Sequence, residues 1–351
     1  MIYPFFYLLK SAIGYIVFGV LKVVHNTFFL YENSAFVLSF DIKIVILRQI
    51  YKKKTLFMVQ NIFKGLGIAL VTPFTSDGSV DYQSLSRLVE YQLKNGADFF
   101  CILATTGETP TLTAEEKKNI KELVVDLVGG KVPILIGCGG NNTADVVKEL
   151  QTGDFSGIDG VLSVCPYYNK PSQEGLYQHF KAIASATNMP VVLYNVPGRT
   201  GVNLKAETTV RLARDCKNIV AIKEASGSLE QVDEIIKNKP DSFDVISGDD
   251  ALTFPMIACG AAGVISVIGN ALPKEFSRMI RLEMRGEIES ARKIHHKFTD
   301  LFNLLFVDGN PAGVKAMLHE MGMIENVLRL PLVPTRLTTM QKISECLKFR
   351  M

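Results

Sequence analysis

From Gly65 onward, short apolar runs of strand length alternate with longer stretches in which apolar positions recur at helical spacing. The strand-like runs are Leu66 to Phe74, Asp98 to Ala104, Val132 to Cys138, Gly160 to Cys165, Pro190 to Val196, Ile219 to Ala225, Phe243 to Ser247 and Gly263 to Ile268. Between them, helical patterns are predicted over Asp81 to Lys94, Thr113 to Val128, Thr143 to Gln151, Ser172 to Ala186, Leu204 to Asp215, Leu229 to Lys237 and Ala251 to Cys259. Asp81 is placed to cap the first, and Thr113 with Glu116 forms a capping box on the second. Strands separated by crossover helices pair in parallel. Eight such units imply an α/β fold of the (β/α)8 TIM-barrel type, over residues 58–285.

A doubly wound open sheet is the alternative, but it usually has about five or six strands. Its dinucleotide fingerprint is also missing. Gly137-Cys138-Gly139-Gly140 lacks the third spaced glycine and reads as a tight turn after the third strand. After Pro273 the pattern is wholly helical, over Pro273 to Met284, Ile288 to Phe306, Pro311 to Met321 and Thr338 to Leu347. This predicts a C-terminal helical extension, residues 286–351, packed as an extra layer on the barrel.

Residues 1–57 follow neither pattern. A span over Ile2 to Val24 is interrupted by Lys10 and Lys22, and the uncharged run Ser11 to Leu21 falls short of the roughly 18 residues a membrane crossing needs. No basic region precedes the apolar stretch and no small-residue cleavage site follows it, so a secretory signal fits poorly. The richness in Phe, Ile, Lys, Asn, Leu and Tyr is what translated AT-rich non-coding DNA would over-produce. The segment reads first as an upstream mis-start, with Met58 opening the functional chain, and second as a membrane tether.

This leader also distorts the overall charge of +3 and the pI of 8.4: it carries a net +5, which leaves −2 for the rest. That balance argues against nucleic-acid binding. The six cysteines are widely spaced without a CxxC pair, which predicts reduced thiols in a cytoplasmic protein. No histidine stands at a strand end with a second ligand at metal spacing, so no metal is expected.

Barrels of this kind carry their chemistry at the C-terminal ends of the strands. Here those ends run into Thr105-Thr106-Gly107-Glu108, Pro166-Tyr167-Tyr168-Asn169, Tyr194-Asn195-Val196-Pro197-Gly198-Arg199-Thr200-Gly201, Lys223 and Gly248-Asp249-Asp250. Lys223 is an ammonium in an otherwise apolar run. Alternation puts Ala221, Lys223 and Ala225 on one face of the strand and Val220, Ile222 and Glu224 on the other. Burial of an amine lowers its pKa from about 10.4, and a neutral amine attacks carbonyls to form Schiff bases. The bland reading is a lysine that snorkels to solvent or pairs with Glu224. Threonines before a glycine also make ordinary turns, and an arginine often just pairs with an acid. Their gathering on one rim favours chemistry.

These motifs, together with Asn169-Lys170-Pro171-Ser172-Gln173-Glu174-Gly175, resemble those of the dihydrodipicolinate synthase family over about residues 61–345. The resemblance implies condensation of pyruvate with L-aspartate 4-semialdehyde through a lysine Schiff base, giving 4-hydroxy-tetrahydrodipicolinate in lysine and diaminopimelate biosynthesis. Lys223 matches the imine-forming lysine and Tyr194 the phenol that moves protons at the imine. Thr105 and Tyr168 match its relay, the tyrosine coming from a neighbouring subunit, which implies a homodimer or homotetramer. Thr106, Gly248 and Ile265 match groups that hold the pyruvate carboxylate and line the pocket, and Arg199 matches the group that takes the semialdehyde carboxylate. No cofactor beyond the covalent lysine–pyruvate imine is implied.

N-acetylneuraminate lyase and the keto-deoxy sugar acid aldolases share the barrel, the lysine and the phenol, but as a rule they lack the arginine of Pro-x-Arg-Thr-Gly. A barrel that has lost catalysis and serves as a scaffold would be expected to lack Lys223, Tyr194 or Arg199. All three are present. The family's lysine-inhibition cleft aligns with Thr109, Pro110, Ala114, Lys117, Asn141, Asp145 and Tyr167. Sensitive enzymes typically carry histidine where Lys117 stands, and often where Ala114 stands, so feedback by lysine is expected to be weak.

Overall fold

A computed structural model describes residues 62–348 of the protein, and the expectations for residues 1–57 lie outside the described residues. Eight strands, β1 (Gly65–Ala69), β2 (Phe99–Ile102), β3 (Ile134–Gly137), β4 (Gly160–Val164), β5 (Val191–Asn195), β6 (Ile219–Glu224), β7 (Asp244–Ser247) and β8 (Gly263–Ser266), close into a parallel barrel in sequence order. Helices α1 (Tyr82–Lys94), α2 (Ala114–Val128), α3 (Thr143–Thr152), α4 (Gln173–Ala186), α5 (Ala206–Asp215), α6 (Leu229–Asn238), α7 (Thr253–Ala258) and α8 (Pro273–Met284) follow the successive strands. The expected caps form. Asp81 accepts from the Ser84 amide at 2.9 Å, and Thr113 and Glu116 exchange reciprocal bonds at 3.2 and 2.9 Å.

Alternation along the strands separates two cores. Ala69, Phe99, Cys101, Leu135, Leu162, Val192, Tyr194, Ala221, Ile246 and Ile265 point inward. Their neighbours, such as Ile68, Phe100, Ile136, Leu193, Ile222 and Val245, pack under the helices. Gly67 makes room for the Phe99 ring, since a Cβ there would lie 2.2 Å from it. Phe63 meets the same ring edge-on at 5.6 Å between centroids, adding a second aromatic to the inner core ahead of β1.

The first strand ends five residues earlier than its apolar run predicts. Leu70, Val71 and Phe74 are buried, but Val71 donates to the Asn270 side chain at 3.1 Å and Pro73 has no amide to give a ladder. The run records burial in a loop. After α8, α9 (Ile288–Leu304) lies against it through Phe276, Phe298 and Phe302, with ring centroids 6.0 to 6.5 Å apart. The chain then forms α10 (Ala312–Glu320) and α11 (Leu337–Lys348), which share the outer core. No helix among the described residues is long and apolar enough to cross a membrane.

Candidate active site

Register brings the inward-facing ends of β5 and β6 side by side, Tyr194 opposite Lys223, with Ile246 of β7 next to the lysine. Lys223 is 5% exposed, and its Nζ lies 4.4 Å from the centroid of the Tyr194 ring. Glu224 points the other way. Its carboxylate accepts from Asn195 Nδ2 at 3.0 and 3.2 Å, Gln231 Nε2 at 3.0 Å and the Ser226 amide at 2.7 Å. The lysine therefore neither snorkels out nor pairs with its sequence neighbour.

Burial pushes the Cys101 thiol up to about 11, with the Lys223 charge acting in the opposite sense. At neutral pH that thiol stays protonated and does not compete as a nucleophile. Gly248 closes against the lysine stem: a Cβ at this position would lie 3.2 Å from Lys223 Cε and 2.7 Å from Ala225 Cβ. The loop after β7 is tied to the end of β8 by Asp250, whose Oδ2 accepts from the Val267 and Ile268 amides at 3.0 and 2.7 Å. Burial raises this carboxyl to about 6. Ile265 completes the inner wall from β8.

Above Tyr194 opens a cavity of about 400 Å³, lined among others by Thr105, Tyr167, Val196, Arg199, Asn310 and Leu332. Gly137 and Gly139 also line it, where a Cβ would strike the Leu103 carbonyl or the Val164 amide at 2.1 and 2.8 Å. The glycine-rich turn is thus a close approach of backbones at the barrel mouth. Arg199 sits in a single helical turn, Pro197–Thr200, and its guanidinium donates to the Asn310 carbonyl at 3.2 Å. Thr105 and Thr106 occupy a 3-10 turn, Thr105–Gly107, and the Thr106 hydroxyl accepts from Asn310 Nδ2 at 3.0 Å. Lys223 does not itself line the cavity; the Tyr194 ring it touches does.

The structure thus brings together Lys223, Tyr194, Thr105, Thr106, Arg199, Gly248 and Ile265. Tyr168 stands apart, 89% exposed with φ of 73°, and does not line this cavity. The cleft residues are also divided. Thr109, Pro110 and Tyr167 line the active-site cavity, whereas Thr109 and Lys117 share a second cavity of about 380 Å³ with Lys118 and Lys121. Ala114, Asn141 and Asp145 line neither; Asn141 accepts from Asn169 Nδ2 at 2.9 Å and Asp145 from Asn142 Nδ2 at 2.8 Å.

Sequence reasoning missed Asn310, Pro331 and Leu332, all from the C-terminal extension. Asn310 lies in Asp308-Gly309-Asn310-Pro311, which carries only the signal of an ordinary turn. No group of three His, Cys, Asp or Glu among the described residues is arranged to hold a metal ion.

The sequence model of the dihydrodipicolinate synthetase family matches residues 62–350. A 4-hydroxy-tetrahydrodipicolinate synthase of Phocaeicola vulgatus is 67% identical over 286 residues, covering 82% of this chain and 96% of the relative. One from Parabacteroides distasonis is 65% identical over 285 residues, covering 81% and 96%. The crystal structure of a dihydrodipicolinate synthase from Thermotoga maritima superposes with a TM-score of 0.80 at 44% identity, covering 82% of this chain and 99% of that one.

Proposed function

The chain belongs to the dihydrodipicolinate synthetase family, and from that premise and the geometry of the barrel mouth we infer how it works. It condenses pyruvate with L-aspartate 4-semialdehyde to 4-hydroxy-tetrahydrodipicolinate, a lyase-class step of lysine and diaminopimelate biosynthesis. The observation that carries the reading is the buried Lys223 amine lying 4.4 Å from the ring of Tyr194, which in turn faces the cavity.

In this reading the Lys223 amine adds to C2 of pyruvate and water leaves, forming the imine. The imine withdraws electrons from the methyl group, a proton departs, and the resulting enamine carbon attacks the aldehyde carbon of the semialdehyde. The substrate's own amine then closes on the imine carbon and expels the Lys223 amine. Tyr194 carries protons to and from these centres, relayed through Thr105 and Tyr168. Thr106 and the backbone around Gly248 and Ile265 hold the pyruvate carboxylate. Arg199 receives the carboxylate of the semialdehyde, to which a forked guanidinium is suited. The electron sink is the protonated imine itself, so the reading calls for no metal or other cofactor.

Tyr168 completes the relay from a second copy of the chain. Its exposure and left-handed backbone support this, as do the exposed apolar side chains Leu330 and Val333 beside Leu332 at the cavity rim. Four buried, free cysteines support a reducing, cytoplasmic setting. The test is borohydride reduction in the presence of pyruvate, followed by peptide mass mapping. An adduct on Lys223 is the expected outcome. Folded protein that yields no adduct would sink the reading and favour a non-catalytic barrel.

A further inference from the structure

The turn that carries Thr105 and Thr106 is held by groups that take no part in the chemistry above. Glu108 ends the first 3-10 turn and begins the second, Thr109–Thr111, with φ of 52°, a left-handed conformation that is costly for a residue with a Cβ. Its amide donates to the Thr105 carbonyl at 3.1 Å, and its own carbonyl accepts from the Thr111 amide at 2.9 Å. The side chain is buried. Glu108 Oε1 meets Lys315 Nζ of α10 at 2.5 Å, both side chains being fully enclosed, and Oε2 accepts from the Arg329 amide at 3.1 Å. Lys315 also donates to the Val327 carbonyl at 2.9 Å and lies 4.1 Å over the Phe74 ring.

Five residues before Lys315, Asn310 grips both sides of the cavity, donating to the Thr106 hydroxyl and accepting from Arg199. A buried ion pair is a poor source of stability, because desolvating two charges offsets most of their attraction and apolar residues of similar volume often replace them without loss. What it does supply is direction: a charge-assisted bond fixes where the turn sits. We propose that the Glu108–Lys315 pair, with the Asn310–Thr106 hydrogen bond, is a positioning device. Through it the C-terminal helices hold the two threonine hydroxyls in register with Tyr194 and Lys223. The proposal rests on the Schiff-base reading and adds to it a role for Glu108, Lys315 and Asn310, none of which the chemistry above uses; Glu108 and Asn310 reach the cavity wall and Lys315 stands behind them.

The apolar double variant Glu108→Leu/Lys315→Met separates positioning from stability. The Arg329 amide and the Val327 carbonyl lose their side-chain partners, so a modest fall in Tm is expected, while kcat measured well below the Tm falls about tenfold to a hundredfold, the scale on which misplaced catalytic groups lose rate. KM for both substrates should change far less, and the amides of Gly107 and Thr111 should exchange hydrogen faster. Wild-type kcat and protection in the folded variant, whatever its Tm, would make the pair structural only and overturn the proposal. If the double variant does not fold, Asn310→Ala decides. It cuts the side-chain link to Thr106 and leaves the backbone acceptor of Arg199, so it should lower kcat/KM for pyruvate severalfold at nearly unchanged Tm. Unaltered kinetics there would overturn the proposal. Wild-type enzyme run alongside must give the Lys223 adduct; its absence would instead overturn the reading beneath.

Discussion

At the scale of single residues, the decisive fact is which way two neighbours in the chain point. Lys223 and Glu224 differ by one position and therefore by one face of β6. The glutamate is consumed by Asn195, Gln231 and Ser226 outside the barrel wall, and the amine is left inside with a phenol for company. Tyr194→Phe tests the division of labour, since it keeps the ring against Lys223 and removes only the hydroxyl. It should lower kcat by about 10² to 10⁴, the range expected for loss of a general acid–base. Borohydride should still trap pyruvate on Lys223 after long incubation. A variant with wild-type kcat would remove Tyr194 from the proton path. Lys223, Tyr194 and Arg199 were legible in the sequence because each breaks a local pattern or sits in a distinctive setting at a strand end. Asn310 was not, because its partner Thr106 lies 204 residues away and nothing local distinguishes it from a turn residue.

At the scale of elements, α2 shows how a cap serves two ends. Glu116 closes the capping box and also takes a two-pronged contact from Arg329, at 2.6 and 2.8 Å. Arg329 further donates to the carbonyls of Gly78 and Thr111, both at 2.9 Å, and so anchors the strap whose Pro331 and Leu332 line the cavity. Hydrogen bonding to Arg329, with a smaller contribution from the cap, holds the Glu116 carboxyl down to about 2 from its ordinary 4.5. A carboxyl depressed on folding stabilises fully above its unfolded pKa and loses that contribution as pH falls through the folded one. The Tm deficit of Arg329→Gln should therefore be greatest above pH about 4.5 and narrow toward pH about 2. A deficit constant across that window would refute the assignment. The same helix bears on regulation. Lys117, Lys118 and Lys121 line one cavity, and only Lys121 among them is held there by an acid lining the same space, Asp154 at 2.5 Å. Of the residues aligned with the family's cleft only Thr109 and Lys117 meet here, and the Lys117 ammonium would repel that of a free amino acid, so inhibition by lysine should be weak. Half-inhibition below about 1 mM, an affinity of roughly 4 kcal/mol, would contradict this. Element boundaries were less legible than element types: the apolar run Leu66 to Phe74 continues past β1, because the loop it enters is buried as deeply as the strand.

At the scale of the whole molecule, the barrel was legible because eight strand-to-helix alternations admit few closed arrangements, and most strand positions on both faces are apolar. The C-terminal helices were legible as a layer but not as part of the site. The contribution of the C-terminal extension runs through contacts such as Arg329, in the strap between α10 and α11, to Glu108, 221 residues apart, which no local periodicity encodes. Tyr168 is 89% exposed and does not line the cavity, so the relay role proposed for it needs a second copy of the chain. If a second copy provides it, the defects of Lys223→Ala and Tyr168→Phe reside in different subunits of one site. Each variant alone should be nearly inactive. Mixed in equal amounts and allowed to exchange subunits, they form hybrids in which an intact Lys223 meets an intact Tyr168 from its partner. About a quarter of the sites should then recover, because half the dimers are hybrid and one site in each is whole. Activity that fails to return after exchange, with hybrids demonstrated by native mass spectrometry, would confine the relay to a single chain and leave the exposure of Tyr168 to another cause.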